Sequence, residues 1–219
     1  MLNQQLISPE ISPLQPGQTV EEALLKMQDL LVSHLPVVQD STFLGLIAAD
    51  DLLDANPADT LSALQHDLQP FAVNADEHFS LAVRAMASRQ LSVIAVVGAN
   101  REYAGTISRE KLFVQLANQT GMLTGGAMVV ATMEPHQFSI SELSKLVETN
   151  DAHITQLNTV IDEMSGHLTV TLRINKQEVS DVIATLQRYD YHVLYYSGEE
   201  HYENELRRNY NHLMNFLTI

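Results

Sequence analysis

The stretch Ser33–Leu53, SHLPVVQDSTFLGLIAADDLL, returns later in the chain as Ser92–Phe113, SVIAVVGANREYAGTISREKLF. Each copy reads as a short apolar strand (LPVV, IAVV), a polar turn (QDST, GANRE), a second strand (FLGLI, YAGTI) and a closing helix, Asp50–Leu53 or Glu110–Asn118. An amphipathic helical stretch precedes each one. In TVEEALLKM (Thr19–Met27), Thr19 and Glu22 stand at capping-box spacing, and Val20, Ala23, Leu24, Met27, Leu30 and Leu31 share a face. The second copy has FSLAVRAM (Phe79–Met86) in that place. Met27 then matches Met86, Val37 and Val38 match Val96 and Val97, and Gly45 matches Gly105 after one extra turn residue. A lone two-stranded hairpin is marginal in water, so the two copies are expected to pack sheet to sheet. Clefts are expected between the strand ends and the closing helices.

Between the copies, ANPADTLSALQHDLQP carries helical spacing at Leu61, Leu64 and Leu68 and stops at Pro70. The glycine-marked joint TGMLTGGA (Thr120–Ala127) opens a different unit. Its pattern predicts a strand at Met128–Met133, a helix at Ser139–Asn150, strands at His153–Ile161 and Leu168–Ile174, a helix at Glu178–Tyr189 and a strand at His192–Tyr196. HLTVTLRI alternates apolar and polar residues, as in a sheet covered on one face. This βαββαβ order is the ferredoxin-like split unit. A last helix is expected from about Glu199 to Leu217, with Leu206, Tyr210, Leu213 and Leu217 as an apolar stripe for its own subunit or a partner's.

Composition narrows the functions open to the chain. Its 219 residues, 45% hydrophobic and with a mean hydropathy near zero, describe a globular protein with real cores. No apolar run approaches membrane-spanning length, and MLNQQLISPEISPL has no signal-peptide pattern. Zero cysteines exclude disulfides and fit a reducing cytoplasm. The net charge is −15, and Lys26 is the sole Lys or Arg before Arg84. Such a surface repels phosphate backbones and anionic membranes, so no nucleic acid and no membrane are expected as partners. No P-loop, G-x-G-x-x-G, H-E-x-x-H or G-x-S-x-G is present, which argues against an enzyme.

The repeated helix, PVV hairpin and G-x-x-x-x-x-D-L pattern resembles a tandem pair of CBS domains, the Bateman module, over about Ile7 to Gln119. The first copy is the closer match. Gly126 to Gly198 resembles an ACT domain on topology more than on motif, and the combined order is similar to CBS–ACT proteins of the acetoin-utilization type. The expected fold class is therefore α/β (α+β). Its expected divisions are a CBS pair at 1–120 (repeats at about 7–55 and 69–119), a linker at 121–127, an ACT-like domain at 128–198 and a helix at 199–219. The resemblance implies a regulatory module that binds an adenosine-containing ligand (AMP, ADP, ATP, S-adenosylmethionine or NAD class). It implies a homodimer, an unidentified regulated protein and no required cofactor.

In the family pattern the closing helix starts G-h-h-(T/S)-x-x-D: the hydroxyl caps the helix, the amides favour phosphate and the carboxylate accepts the ribose hydroxyls. The first copy, GLIAADD, has Ala48 at the hydroxyl position and Asp51 at the ribose position; the second, GTISREK, keeps Ser108 but has Lys111 in place of the carboxylate. A lysine accepts no hydrogen bond, so one cleft at most, the one served by Asp51, is expected to hold a nucleoside in the family's manner. Lys111, with Arg89 or Arg109, would meet phosphate. His34 would face phosphate, and Pro36 and Ala95 would line the adenine slot.

Plainer readings stand beside these. The helix dipole favours Asp51 with or without a ligand; Asp50 is a solvated neighbour; Gly45 and Gly105 serve backbone geometry. In the C-terminal unit, His136 follows Pro135 in MEPHQFS where the ACT pattern has glycine, so that unit is expected to assemble the protein rather than bind an amino acid. His201 and Glu205 alone make a weak metal pair. The alternative to a sensor is a degenerate CBS–ACT scaffold that binds no nucleotide.

Overall fold

The structure, a computed structural model, describes residues 1–197 and divides into two compact units, Met1–Leu116 and the remainder from Ala117. The expected helix after Gly198, with His201 and Glu205, lies outside the described residues.

In the first unit the repeat is visible in the backbone. Copy one runs α1 (Val20–Asp29), β1 (His34–Gln39), β2 (Thr42–Ala48) and α2 (Ala49–Leu52). After a 3-10 segment at Leu61–Asp67 and a short strand β3 (Ala72–Asn74), copy two runs α3 (Ser80–Arg89), β4 (Val93–Val97), β5 (Tyr103–Ser108) and α4 (Arg109–Gln119). Thr19 and Glu22 form the expected capping box: Glu22 N–H donates to Thr19 Oγ1 at 3.2 Å, and Thr19 N–H donates to Glu22 Oε2 at 3.0 Å. Both hairpins are antiparallel, and both carry a bulge beside the second valine of their Val-Val pair.

The two copies share one core. Leu35, Val37, Phe43 and Ile47 pack in a single apolar cluster with Ile94, Val96, Ile107 and Phe79. The chain secures this by exchanging arms. The segment before copy one crosses the hairpin of copy two, where Ser8 N–H donates to Thr106 C=O at 2.8 Å. The segment before copy two crosses the hairpin of copy one, where Leu46 and Gln69 exchange backbone hydrogen bonds of 2.7 and 2.8 Å. At each crossing stands a glycine. A Cβ on Gly45 would lie 2.7 Å from Leu68 Cβ, and one on Gly105 would lie 2.5 Å from Ile7 Cγ2. Backbone approach therefore explains the matched glycines.

The second unit holds β6 (Ala127–Met133), α5 (Ile140–Glu148), β7 (Ile154–Ile161), β8 (Leu168–Ile174), α6 (Ser180–Arg188) and β9 (His192–Ser197). The antiparallel sheet has the order β7-β8-β6-β9, the ferredoxin-like arrangement expected from the βαββαβ pattern. Alternation decides which face is covered. Val129, Ala131 and Met133 join Leu168, Val170, Leu172 and Ile174 against Leu143, Leu146, Val147, Val182 and Leu186 of the helices. Ser139 caps α5, its Oγ accepting from Glu142 N–H at 3.3 Å.

Candidate functional site

The start of β1 in copy one meets the start of β4 in copy two through Ser33, His34 and Ser92. Ser33 and Ser92 occupy the same place in the repeat. Ala49 N–H, opening α2, donates to Ser33 C=O at 2.8 Å, and Arg109 N–H, opening α4, donates to Ser92 C=O at 2.9 Å. Ser92 Oγ accepts from both Ser33 N–H and His34 N–H, each at 3.0 Å. With both lone pairs used, its hydroxyl proton is free to donate to His34 Nδ1, 3.3 Å away. Ser33 Oγ lies nearer to Nδ1, at 3.0 Å, and Ser92 N–H donates to it at 3.4 Å. Nδ1 is thus an acceptor, which leaves the ring proton on Nε2.

His34 lies in a mixed field. Burial lowers its pKa below the ordinary 6.5; Asp51 pulls it up, Arg109 pushes it down again and Asp50 raises it. A neutral imidazole therefore sits within electrostatic range of a carboxylate pair from copy one and a guanidinium from copy two. These are the groups that a phosphorylated nucleoside needs: acceptors for hydroxyls and donors for phosphate.

The remaining expected site residues are placed unevenly. Ser108 is buried, and its Oγ accepts from Lys111 N–H at 3.1 Å, so this hydroxyl caps α4. A second serine, Ser8, stands 3.4 Å from it across the exchanged arm. Lys111 is exposed. Ala48 has no side chain to cap α2, and Asp51 instead reaches back, its Oδ2 accepting from Ala48 N–H at 3.3 Å. Asp51 itself is exposed. Pro36 and Ala95 are buried within β1 and β4, Ala95 with no exposed surface at all. Pro36 C=O accepts from Leu14 N–H of the segment before copy one, and Ala95 pairs with Ala72 of β3 and Thr106 of β5, so neighbouring chain covers both.

Three residues around this junction escaped the sequence reading. Ser92 and Ser33 were legible in principle, because they precede the apolar runs at the same place in both copies. Ser8 was not, since only the arm exchange brings it to Ser108.

In the second unit, a cavity of about 260 Å³ beside the β6–α5 loop is lined by Met133, Gln137, Glu142, Tyr189, Asp190 and Tyr191. Burial, then the neighbouring Glu142, raises the Tyr191 phenol above its usual range. His136 is exposed in the loop. Among the described residues, no three His, Cys, Asp or Glu side chains gather as a metal site. No helix there is long and apolar enough to cross a membrane.

Residues 4–58 match the CBS domain family model. The match falls on copy one, the copy that holds His34 and Asp51. Among solved structures the chain is similar to a CBS domain pair/ACT domain protein from Thermotoga maritima, at 18% identity and a TM-score of 0.49, covering 54% of this chain and 98% of that one. It is also similar to CBSX2 in complex with AMP, at 20% identity and a TM-score of 0.45, covering 54% and 96%. A third is the CBS domain pair of MJ0100 in complex with 5'-methylthioadenosine and S-adenosyl-L-methionine, at 19% identity and a TM-score of 0.43, covering 54% and 98%. No curated protein sequence matches the chain. The fold class is the expected mixed α and β one, with repeated hairpin halves followed by a ferredoxin-like unit.

Proposed function

We propose that the protein is a non-catalytic regulator that senses an adenosine-containing ligand at the junction served by Asp51. Its CBS pair would span residues 1–120, with the ACT-like unit and the terminal segment joining two chains. The observation that carries this reading is the His34 junction. There the His34 imidazole is held with its Nδ1 against Ser33 and Ser92, and the charges of Asp51 from one copy and Arg109 from the other act on it in opposite directions. Asp51 would take the ribose hydroxyls. His34 Nε2–H, Arg109 and the Ser108-capped start of α4 would face phosphate, with Lys111 beside them. Pro36 and Ala95 would border the base once the strand ends part. Two chain arrangements with different affinities for the ligand would convert binding into a signal to a regulated protein. A sensor of this kind needs no link to acetoin utilization, which the domain order alone suggests.

A scaffold that binds no nucleotide is the second reading. It is favoured by two observations: the Asp51 carboxylate is already engaged by Ala48 N–H, and Ala95 is wholly covered. A thermal-shift panel of AMP, ADP, ATP, S-adenosylmethionine and NAD, with and without Mg²⁺, separates the two. A ligand at 100 times its Kd stabilises the folded state by about 2.7 kcal/mol. The sensor predicts a shift with at least one compound at millimolar concentration. Silence across the panel selects the scaffold.

A further inference from the structure

A groove of about 450 Å³ opens between the bodies of α5 and α6 in the second unit. Lys145, Leu146, Thr149 and Asn150 line it from the first helix and its end, and Thr185, Arg188 and Tyr189 line it from the second. From Ala117 to Ser197 acids outnumber the four cations, Lys145, Arg173, Lys176 and Arg188. Two of the four are spent on the backbone: Arg173 Nη2 donates to Thr124 C=O at 3.0 Å, and Lys176 Nζ donates to Asn150 C=O at 2.9 Å. The other two, Lys145 and Arg188, have no ion-pair or hydrogen-bond partner among the described residues, and both line this groove. Its single acid, Glu142, is engaged with the Tyr191 hydroxyl. The helix dipole favours a cation in the last turn of each helix, but it does not require the two to share a cavity.

The uncharged polar lining is arranged to accept hydrogen bonds. Thr149 Oγ1 donates to Leu146 C=O at 2.8 Å. Thr185 Oγ1 donates to Asn150 Oδ1 at 3.4 Å while accepting from Asn150 Nδ2 at 3.1 Å. With those protons used, Thr149 Oγ1 and Asn150 Oδ1 keep lone pairs for a donor. The Tyr189 ring, 54% exposed, adds an apolar wall. We propose that the α5–α6 groove binds a small dianion carrying hydroxyl groups, with Lys145 and Arg188 meeting its negative charge and Thr149 and Asn150 accepting from its hydroxyls. A lysine and an arginine on one groove suit two carboxylates, or the doubly charged phosphate of a monoester. The volume is of the size that holds a small metabolite. The groove shares no residue with the His34 junction, so it stands apart from the adenosine reading.

Full-length protein at low ionic strength is titrated by calorimetry with malate, glycerol phosphate and lactate. Binding of malate identifies a dicarboxylate as the source of the charge, and binding of glycerol phosphate identifies a phosphate monoester. Lactate, with a single charge, is expected to bind about tenfold more weakly or not at all. Lys145→Met and Arg188→Met should each weaken the dianion by about tenfold or more. Arg84→Met, the same charge change in the first unit, should alter it by less than about twofold. The hydroxyl-free counterparts, succinate and propyl phosphate, should bind more weakly, and Thr149→Val should narrow that gap. All four positions are exposed, and melting curves without ligand report whether each variant folds. Asp51→Asn should leave this binding unchanged, which separates its failure from failure of the adenosine reading. Silence with both dianions at millimolar concentration overturns the proposal. So does lactate binding as tightly as either dianion, equal binding with and without hydroxyls, or an equal loss in Arg84→Met.

Discussion

Gly45→Ala tests the arm exchange on which the first unit's shape depends. The new methyl carbon would stand 2.7 Å from Leu68 Cβ, 3.1 Å from Gln69 C=O and 3.2 Å from the Leu68 carbonyl carbon. Carbon atoms rest about 3.5–4.0 Å apart, so the crossing segment must retreat by about 1 Å. That retreat stretches both hydrogen bonds between Leu46 and Gln69, each worth about 1 kcal/mol net. Overpacking adds about 1–3 kcal/mol, and the lost freedom of the unfolded glycine returns about 0.4–1 kcal/mol. The expected net loss is on the order of 2–4 kcal/mol. For a chain of this length it appears as a fall in Tm of roughly 5–15 °C. Circular-dichroism melting and urea unfolding measure it, with Gly17→Ala as the control because nothing lies within 4 Å of a Cβ there. If Gly45→Ala proves as stable as Gly17→Ala, the close crossing does not hold the copies together and the reasoning fails.

Other expectations follow from single contacts. Thr19→Ala removes the acceptor for Glu22 N–H and should cost about 1 kcal/mol in urea unfolding; an unchanged midpoint would deny the capping box a role. His34 titrates lower in the folded chain than the 6.5 of the unfolded one, because burial opposes its charge. The unfolded chain then binds the proton first as pH falls, so its stabilising contribution is complete above about pH 6.5 and shrinks as pH drops toward the folded value. The stability difference between wild type and His34→Asn should accordingly narrow as pH falls from neutrality through 6.5 toward the lower folded value; a constant difference would contradict the half-buried neutral ring. Deleting His201–Ile219 should lower the mass seen by light scattering if that segment joins two chains, and an unchanged mass returns it to its own subunit.

Much of this architecture was legible because the sequence states it twice. The Val-Val pairs align directly, the glycines and the starts of the closing helices align after one extra turn residue, and the period-two alternation of Leu168–Ile174 names its own covered face. The boundaries differ from expectation by up to three residues, as at α3, which runs past Met86 to Arg89. What the sequence hid are contacts created by topology. The arm exchange lays Ser8 on Ser108 and Leu68 on Gly45 across distant parts of the chain, and no local pattern marks such pairs. The expected adenine slot was legible only by resemblance; Pro36 and Ala95 are in their predicted strands, yet covered by the segments that cross or pair with them. Ala48 and Lys111 were visible as departures from the family pattern. The consequence of the first, Asp51 turning back to cap its own helix, required the geometry of a four-residue helix with no hydroxyl at its start.

Isothermal calorimetry, with whichever adenosine compound shifts the melting temperature most, puts the Asp51 assignment to its most direct test. Wild type, Asp51→Asn and Lys111→Ala are titrated side by side. Asp51→Asn replaces an ionised double acceptor of ribose hydroxyls with a neutral amide and should weaken binding by about tenfold or more, whereas Lys111→Ala should change it by only a few-fold. The reverse ranking, or equal binding by all three chains, would contradict a sensor built on that carboxylate.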